Sequence, residues 1–299
     1  MKKIVTLGIN LNDDHKKRLL KIGELAIQES PASVEDFLNK VKGADVIYSN
    51  GNYLLESLPQ LKNVFVTYPY VELGVFNSEK LEKNGVLVAN ARGGNRDSIV
   101  EWVMYMVISL FRKFTPLVRV TENLPVEFQQ SLNGKKILIM GHGNIGSQVG
   151  VLCKAFGMNV AFFERGDNLT SRSKSADLII NALNCNSTSQ NLLNESFFIN
   201  LKKGCYYLTF ARPYTYDLNG LIKSINTGIV AGAAIDCDPE KFGDTTNDFY
   251  QKALSNHKIL VTPHITFSTE QAITNGREIA VQNIESFLKG KPQNILRKK

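Results

Sequence analysis

No two cysteines form a C-x-x-C pair; Cys153, Cys185, Cys205 and Cys237 are scattered along 299 residues. They neither frame a disulfide scaffold nor supply a zinc site. The four histidines, at positions 15, 142, 257 and 264, include no H-E-x-x-H, so no metal centre is expected. Long hydrophobic runs are also missing. The N-terminal apolar stretch covers only Ile4 to Ile9, too short for a signal peptide. The most apolar later segment, Ile99 to Phe111, contains Glu101 and falls short of the ~20 residues a membrane span needs. No internal repeat or low-complexity tract is present. The expectation is a soluble, cytoplasmic protein with no membrane partner.

Hydrophobic residues make up 43% of the chain and charged residues 21%, which suits folded globular structure and not disorder. A chain of 299 residues allows two ordinary domains, each with its own core. The net charge of +7 suits an anionic cofactor or a small acid substrate. Its basic residues are dispersed, with dense clusters only at the two ends, so nucleic acid is not an expected partner.

Short β-rich runs alternate with helical patterns. Strands are expected at 3–8, 44–49, 63–68 and 85–90, then at 135–140, 159–163, 176–180, 205–210, 229–236 and 258–262. Helical spacing covers 12–23, 33–42 and 77–84. Nearly all-apolar strands separated by helices imply parallel sheets covered on both faces. Ser98-Ile-Val-Glu101 fits a capping box opening a helix to about Lys113, and Ser268-Thr-Glu-Gln271 fits another reaching about Lys289. The polar stretch 115–134 reads as a connector, with a second sheet opening at Lys135.

The segment KKILIM-GHGNIG-SQVGVLCKAFG gives a strand, the loop Gly141-His142-Gly143-Asn144-Ile145-Gly146, and a helix. The first glycine permits the turn, the second lets backbone N–H groups approach a pyrophosphate, and the third brings helix against strand. The next strand ends at Glu164, 23 residues after Gly141, where a carboxylate can take both ribose hydroxyls of NAD and repel a 2′-phosphate. Arg165 keeps NADP open, because a guanidinium can hold that phosphate. NAD is the expected cofactor. His142 sits at a variable loop position and reads as exposed filler.

Three later strands end in chemistry-bearing residues: Phe210-Ala-Arg212-Pro213, Ala231 to Asp236, and Val261-Thr-Pro-His264. In a doubly wound sheet such ends open onto the cofactor crevice. Together with the glycine loop, LKNVFVTYPYVELGVF, SIVEWVMYMVISLFR and Leu132-Asn-Gly-Lys135, these segments resemble the D-isomer-specific 2-hydroxyacid dehydrogenase family over nearly the whole chain. The resemblance implies two Rossmann-like, doubly wound parallel-sheet α/β domains, the nucleotide domain inserted in the substrate domain. The boundaries expected are 1–96 with 269–299 for the substrate (catalytic) domain and 97–268 for the dinucleotide-binding domain.

It also implies roles. Arg212 would grip the carboxylate of a small 2-oxo or 2-hydroxy acid, and His264 would be the general acid in reduction and the base in oxidation. Asp236 matches the acid near the nicotinamide carboxamide, and Thr188 is retained after the fourth nucleotide-domain strand. Glu240 matches the histidine's carboxylate partner, although it follows the aspartate by four residues where the family pattern has five; Asp238 is the competing partner. Tyr70 and Val71 stand in the substrate loop, where the family has a glycine, with Glu72 beside them. Pro213 replaces the glycine that normally follows the arginine. The resemblance further implies a homodimer through the nucleotide domain, and the Ile99–Phe111 helix is apolar around more of its circumference than one packing face requires. The alternative function is an NAD-sensing, corepressor-like binding protein on the same scaffold.

Overall fold

The structure, a computed structural model, describes residues 1–71, 76–113, 129–237 and 243–297. The chain divides into two compact units, residues 1–95 with 268–299, and residues 96–267.

The first unit holds a five-stranded sheet of β1 (Lys3–Leu7), β2 (Glu24–Gln28), β3 (Val46–Tyr48), β4 (Phe65–Thr67) and β5 (Leu87–Ala89). Every pairing is parallel, in the order β2-β1-β3-β4-β5. Asparagine and serine start the flanking helices. Asn12, Ser33 and Asn77 each accept a hydrogen bond from the backbone N–H three residues on, satisfying a donor the helix leaves orphaned. Val5 and Leu7 pack on one face of the sheet and Ile4 on the other, so apolar side chains alternate into two cores. β2 was not anticipated. It is an edge strand with an exposed Glu24, so it lacks the all-apolar signature of its neighbours.

The second unit holds β6 (Lys136–Met140), β7 (Asn159–Phe163), β8 (Leu178–Asn181), β9 (Cys205–Thr209), β10 (Val230–Asp236) and β11 (Ile259–Thr262). These are again all parallel, in the order β11-β10-β9-β8-β6-β7. Ile137 and Ile139 point into one core with the helices Arg96–Phe111 and Asn144–Ala155. Leu138 and Met140 point into the other with Phe197, Phe198, Leu221 and Ile225. Both units are therefore doubly wound, and each sheet reverses its strand order beside its first strand.

Two helix starts differ from the capping-box reading. The helix at Arg96–Phe111 begins before Ser98, which lies buried inside it. At the other, Thr269 is the cap, accepting from the Ala272 N–H, and the helix runs Glu270–Leu288. In both places the S/T-x-x-E/Q pattern marks the neighbourhood of a start and not its first residue.

Candidate active site

Because the six strands run parallel, their carboxyl ends form one edge. Register places Phe163, Met140, Asn181, Thr209, Ile235 and Val261 in a single row across it. Immediately beyond that row stand Glu164, Gly141, Ala182, Phe210, Asp236 and Thr262.

At one end, Gly141 turns the chain with φ +103°, and a Cβ there would lie 2.9 Å from the Ala182 carbonyl oxygen. Gly146 is needed for space, since its Cβ would fall 2.2 Å from the Gly141 carbonyl oxygen. Gly143 caps the helix Asn144–Ala155 with extended backbone and no side-chain hydrogen bond, and a Cβ on it would meet nothing within 4 Å. Asn144 is exposed, whereas Ile145 packs partly into the core. The loop therefore offers an open, positively polarised helix start of the kind that receives phosphate.

Glu164 is exposed beside it, with Oε1 2.8 Å from His142 Nδ1. The His142 ring stacks on Phe162 at 3.9 Å between centroids and 17° between planes. The Glu164 N–H donates to Asp167 Oδ2 at 3.0 Å, and Arg172 Nε donates to the same oxygen at 3.2 Å. These donors, the backbone N–H first, hold the Asp167 carboxyl below its ordinary pKa. Arg165 Nη2 donates to Thr188 Oγ1 at 3.3 Å, and the Thr188 hydroxyl donates to Asn186 Oδ1 at 2.7 Å.

At the other end the polar contacts are buried. The Arg212 carbonyl accepts from the Thr215 N–H at 3.0 Å and the Thr215 hydroxyl at 2.9 Å. Thr215 Oγ1 in turn accepts from Asn181 Nδ2 at 2.9 Å, and the same amide nitrogen reaches the Tyr207 hydroxyl at 3.1 Å. Asn181, Tyr207 and Thr215 are completely buried, and burial pushes the Tyr207 phenol above its ordinary pKa. This network fixes the turn that carries the exposed Arg212 side chain.

Asp236 is 4% exposed. Its Oδ1 accepts from the Thr262 hydroxyl and, at 3.0 Å, from the Ile265 N–H, while Oδ2 accepts from the Thr266 N–H at 3.2 Å. One carboxylate thus grips the turn on both sides of His264. His264 itself sits at φ +58°, a left-handed conformation that costs a non-glycine residue ~1 kcal/mol and persists where its surroundings impose it. Its half-buried ring meets Phe267 edge-on at 5.4 Å and 78°.

In the first unit, Tyr70 and Val71 follow β4. The Tyr70 carbonyl accepts from the Ala91 N–H at 2.9 Å; that of Val71 accepts from Tyr68 Oη at 3.1 Å and Asn90 Nδ2 at 2.7 Å. Tyr70 is exposed. Glu72, Asp238 and Glu240 lie outside the described residues. Among the described residues, no group of three or more His, Cys, Asp or Glu side chains could hold a metal ion. Likewise no helix among them is long and apolar enough to cross a membrane.

Residues 104–266, more than half of the chain, match the family described as D-isomer specific 2-hydroxyacid dehydrogenase, NAD binding domain. The chain belongs to that family. A Haemophilus influenzae protein carrying a provisional 2-hydroxyacid dehydrogenase name is 26% identical over 281 residues, 86% of this chain and 88% of that protein. The NAD-complexed D-isomer specific 2-hydroxyacid dehydrogenase of Lactobacillus delbrueckii ssp. bulgaricus is 19% identical and superposes over 99% of this chain and 100% of its own with a TM-score of 0.81. An acyclic imino acid reductase in complex with NADPH and D-Arg, 17% identical, covers 99% and 100% with a TM-score of 0.80. The fold is thus shared by proteins solved with either nucleotide.

For this member of the family, reasoning from sequence missed two residues. Asn181 lies one residue past the run 176–180 expected as a strand; its signal is an asparagine directly continuing an apolar run, and the strand in fact ends on it. His142, read as filler, is exposed but held against Phe162 and Glu164. No linear pattern joins residues 142, 162 and 164; only the β6–β7 pairing does.

Proposed function

We propose that the protein transfers a hydride between NAD(H) and a small 2-oxo or D-2-hydroxy acid. The observation that carries this reading is the carboxyl edge itself: an open glycine loop with an acid at one end, and a turn-held arginine and a clamped histidine at the other.

The nicotinamide cofactor, when bound, supplies or accepts the hydride. Backbone N–H groups of Gly141, Gly143, Asn144, Ile145 and Gly146 would hold its pyrophosphate, and Glu164 its adenosine ribose, with Arg165 and Thr188 alongside. Asp236 already receives three donors; a carboxylate has about four acceptor positions, which leaves one for the nicotinamide carboxamide. Arg212 binds the substrate carboxylate through two parallel hydrogen bonds and orients the carbonyl. His264 gives its proton to the carbonyl oxygen in reduction and takes it back in oxidation, a role worth ~10²–10⁴-fold in rate. Glu240 is its proposed partner: a carboxylate beside the imidazole favours the protonated form that reduction requires. Tyr70 and Val71, their carbonyls engaged by Ala91, Tyr68 and Asn90, contribute the substrate loop.

We assign residues 97–268 to the dinucleotide-binding domain and residues 1–96 with 269–299 to the substrate domain, in a cytoplasmic homodimer. Tyr105 and Ile108 on the helix Arg96–Phe111 are exposed apolar residues, as are Val151 and Phe156 at the helix Asn144–Ala155, which gives the dimer an apolar surface in the nucleotide unit. Light scattering should return twice the chain mass, and Val151→Glu should return the monomer.

The reaction is tested in the oxidative direction. NAD reduction should proceed with D-2-hydroxy acids and fail with their L enantiomers. Reduction with L enantiomers, or with neither, would overturn the assignment.

A further inference from the structure

We propose that His142 sets how strictly the nucleotide site separates NAD from NADP, acting through its charge as a specificity-determining partner of Glu164. The proposal rests on the assignment of Glu164 to the adenosine ribose.

His142 follows the first glycine of the phosphate loop, and its ring is fixed by two contacts rather than left to solvent. It stacks on Phe162 at 3.9 Å, and Nδ1 reaches Glu164 Oε1 at 2.8 Å. Histidine and glutamate therefore present themselves to a ligand as a unit. With a neutral imidazole, Nδ1–H donates to the carboxylate and the pair carries one negative charge, which opposes a 2′-phosphate. With an imidazolium the pair is neutral, and Nε2–H becomes an additional donor for an anion.

Histidine is the side chain whose charge ordinarily changes between pH 5 and 8, which makes pH the variable that tests the pair. The other charges on the elements packed here are already matched or positive. Asp167 accepts from Arg172 and from the Glu164 N–H, and Arg165 lies against Thr188. The helix Asn144–Ala155 brings no acidic residue in its first turn. Glu164 is thus the carboxylate that a 2′-phosphate would meet, and His142 governs how much of its charge is felt.

The test is direct binding. Dissociation constants for NADH and NADPH are measured by fluorescence titration from pH 5.5 to 8.5 on the wild type, His142→Phe and Glu164→Gln. Phenylalanine keeps the stack on Phe162 and removes the charge. The free nucleotide's second phosphate protonation, at pH ~6, is common to all the titrations, so the differences between variants report the charges of the protein. In the wild type, the preference for NADH over NADPH should shrink as pH falls, by about tenfold more than in His142→Phe. Parallel profiles for wild type and His142→Phe would overturn the proposal. In that event, a gain in NADPH affinity in Glu164→Gln would leave the ribose assignment standing, and an unchanged Glu164→Gln would remove that too. A second reading needs no variant: 2′-AMP, but not 5′-AMP, should move the NMR titration of the His142 ring to higher pH. The same movement with both nucleotides would count against the proposal.

Discussion

The two ends of the six-stranded sheet's carboxyl edge are built differently. Beside β6 and β7, the polar side chains meet one another in water: His142 with Glu164, Arg172 with Asp167, Arg165 with Thr188. Beside β9 to β11, Asn181, Thr215 and Asp236 are buried and make hydrogen bonds that hold the Arg212 and His264 turns. Exposed pairs contribute little stability and are easily exchanged, whereas a buried donor or acceptor left alone costs ~1–3 kcal/mol. The nucleotide end can therefore vary its ligand preference without threatening the fold. The reactive end cannot change a single partner so cheaply. On the proposed function, the buried contacts lie where a proton would be delivered to one atom.

Substitutions should separate these ends. The largest effect is expected from His264→Asn, which should lower kcat by ~10²–10⁴-fold while the NADH dissociation constant stays within twofold or so. Next comes Arg212→Lys, since an ammonium cannot make two parallel bonds to a carboxylate; kcat/KM for the 2-oxo acid should fall by about 10- to 100-fold. Asp236→Asn turns an amide N–H toward one of three donors and should cost ~1–3 kcal/mol in urea unfolding, with kcat falling as the His264 turn loosens. Gly146→Ala acts at the opposite end. Its methyl would meet the Gly141 carbonyl, so titration should show NADH affinity lost together with ~1–3 kcal/mol of stability.

The smallest effect lies outside the edge and serves as a control. In the first unit, Arg18 donates to Glu278 at 2.9 Å and to Glu285 at 2.8 and 3.0 Å, tying the helix Asp13–Ile22 to Glu270–Leu288. The guanidinium lowers the Glu278 carboxyl from 4.5 to about 2. Because the folded value is depressed, this stabilisation is complete above pH 4.5 and is lost as pH falls toward 2. Glu278→Gln should flatten acid unfolding over that window and leave NADH binding unchanged.

How far the sequence could be read follows the same division between local and distant causes. The runs at β6, β8, β9 and β10 announce themselves, because strands buried on both faces must be apolar throughout. β2 carries Glu24 and Gln28 on an exposed edge and has no such signature. The glycine loop is legible because each glycine answers a local steric demand. The role of Asp236 as a clamp is not, since its donors come from Thr262, Ile265 and Thr266 in the next strand and its turn. Nor is the His142 contact, which depends on β7 lying beside β6.

The central claim is that this edge reduces a 2-oxo acid at the expense of NADH. It is tested most directly by a single turnover. Protein in excess is loaded with NADH, binding is followed by fluorescence, and the complex is mixed with glyoxylate, hydroxypyruvate, pyruvate and bulkier 2-oxo acids in turn. With at least one of these acids, the bound NADH should be oxidised in full and leave the D-2-hydroxy acid. NADH that binds tightly yet stays reduced with every acid would contradict the claim and leave a nucleotide-sensing protein on a dehydrogenase scaffold.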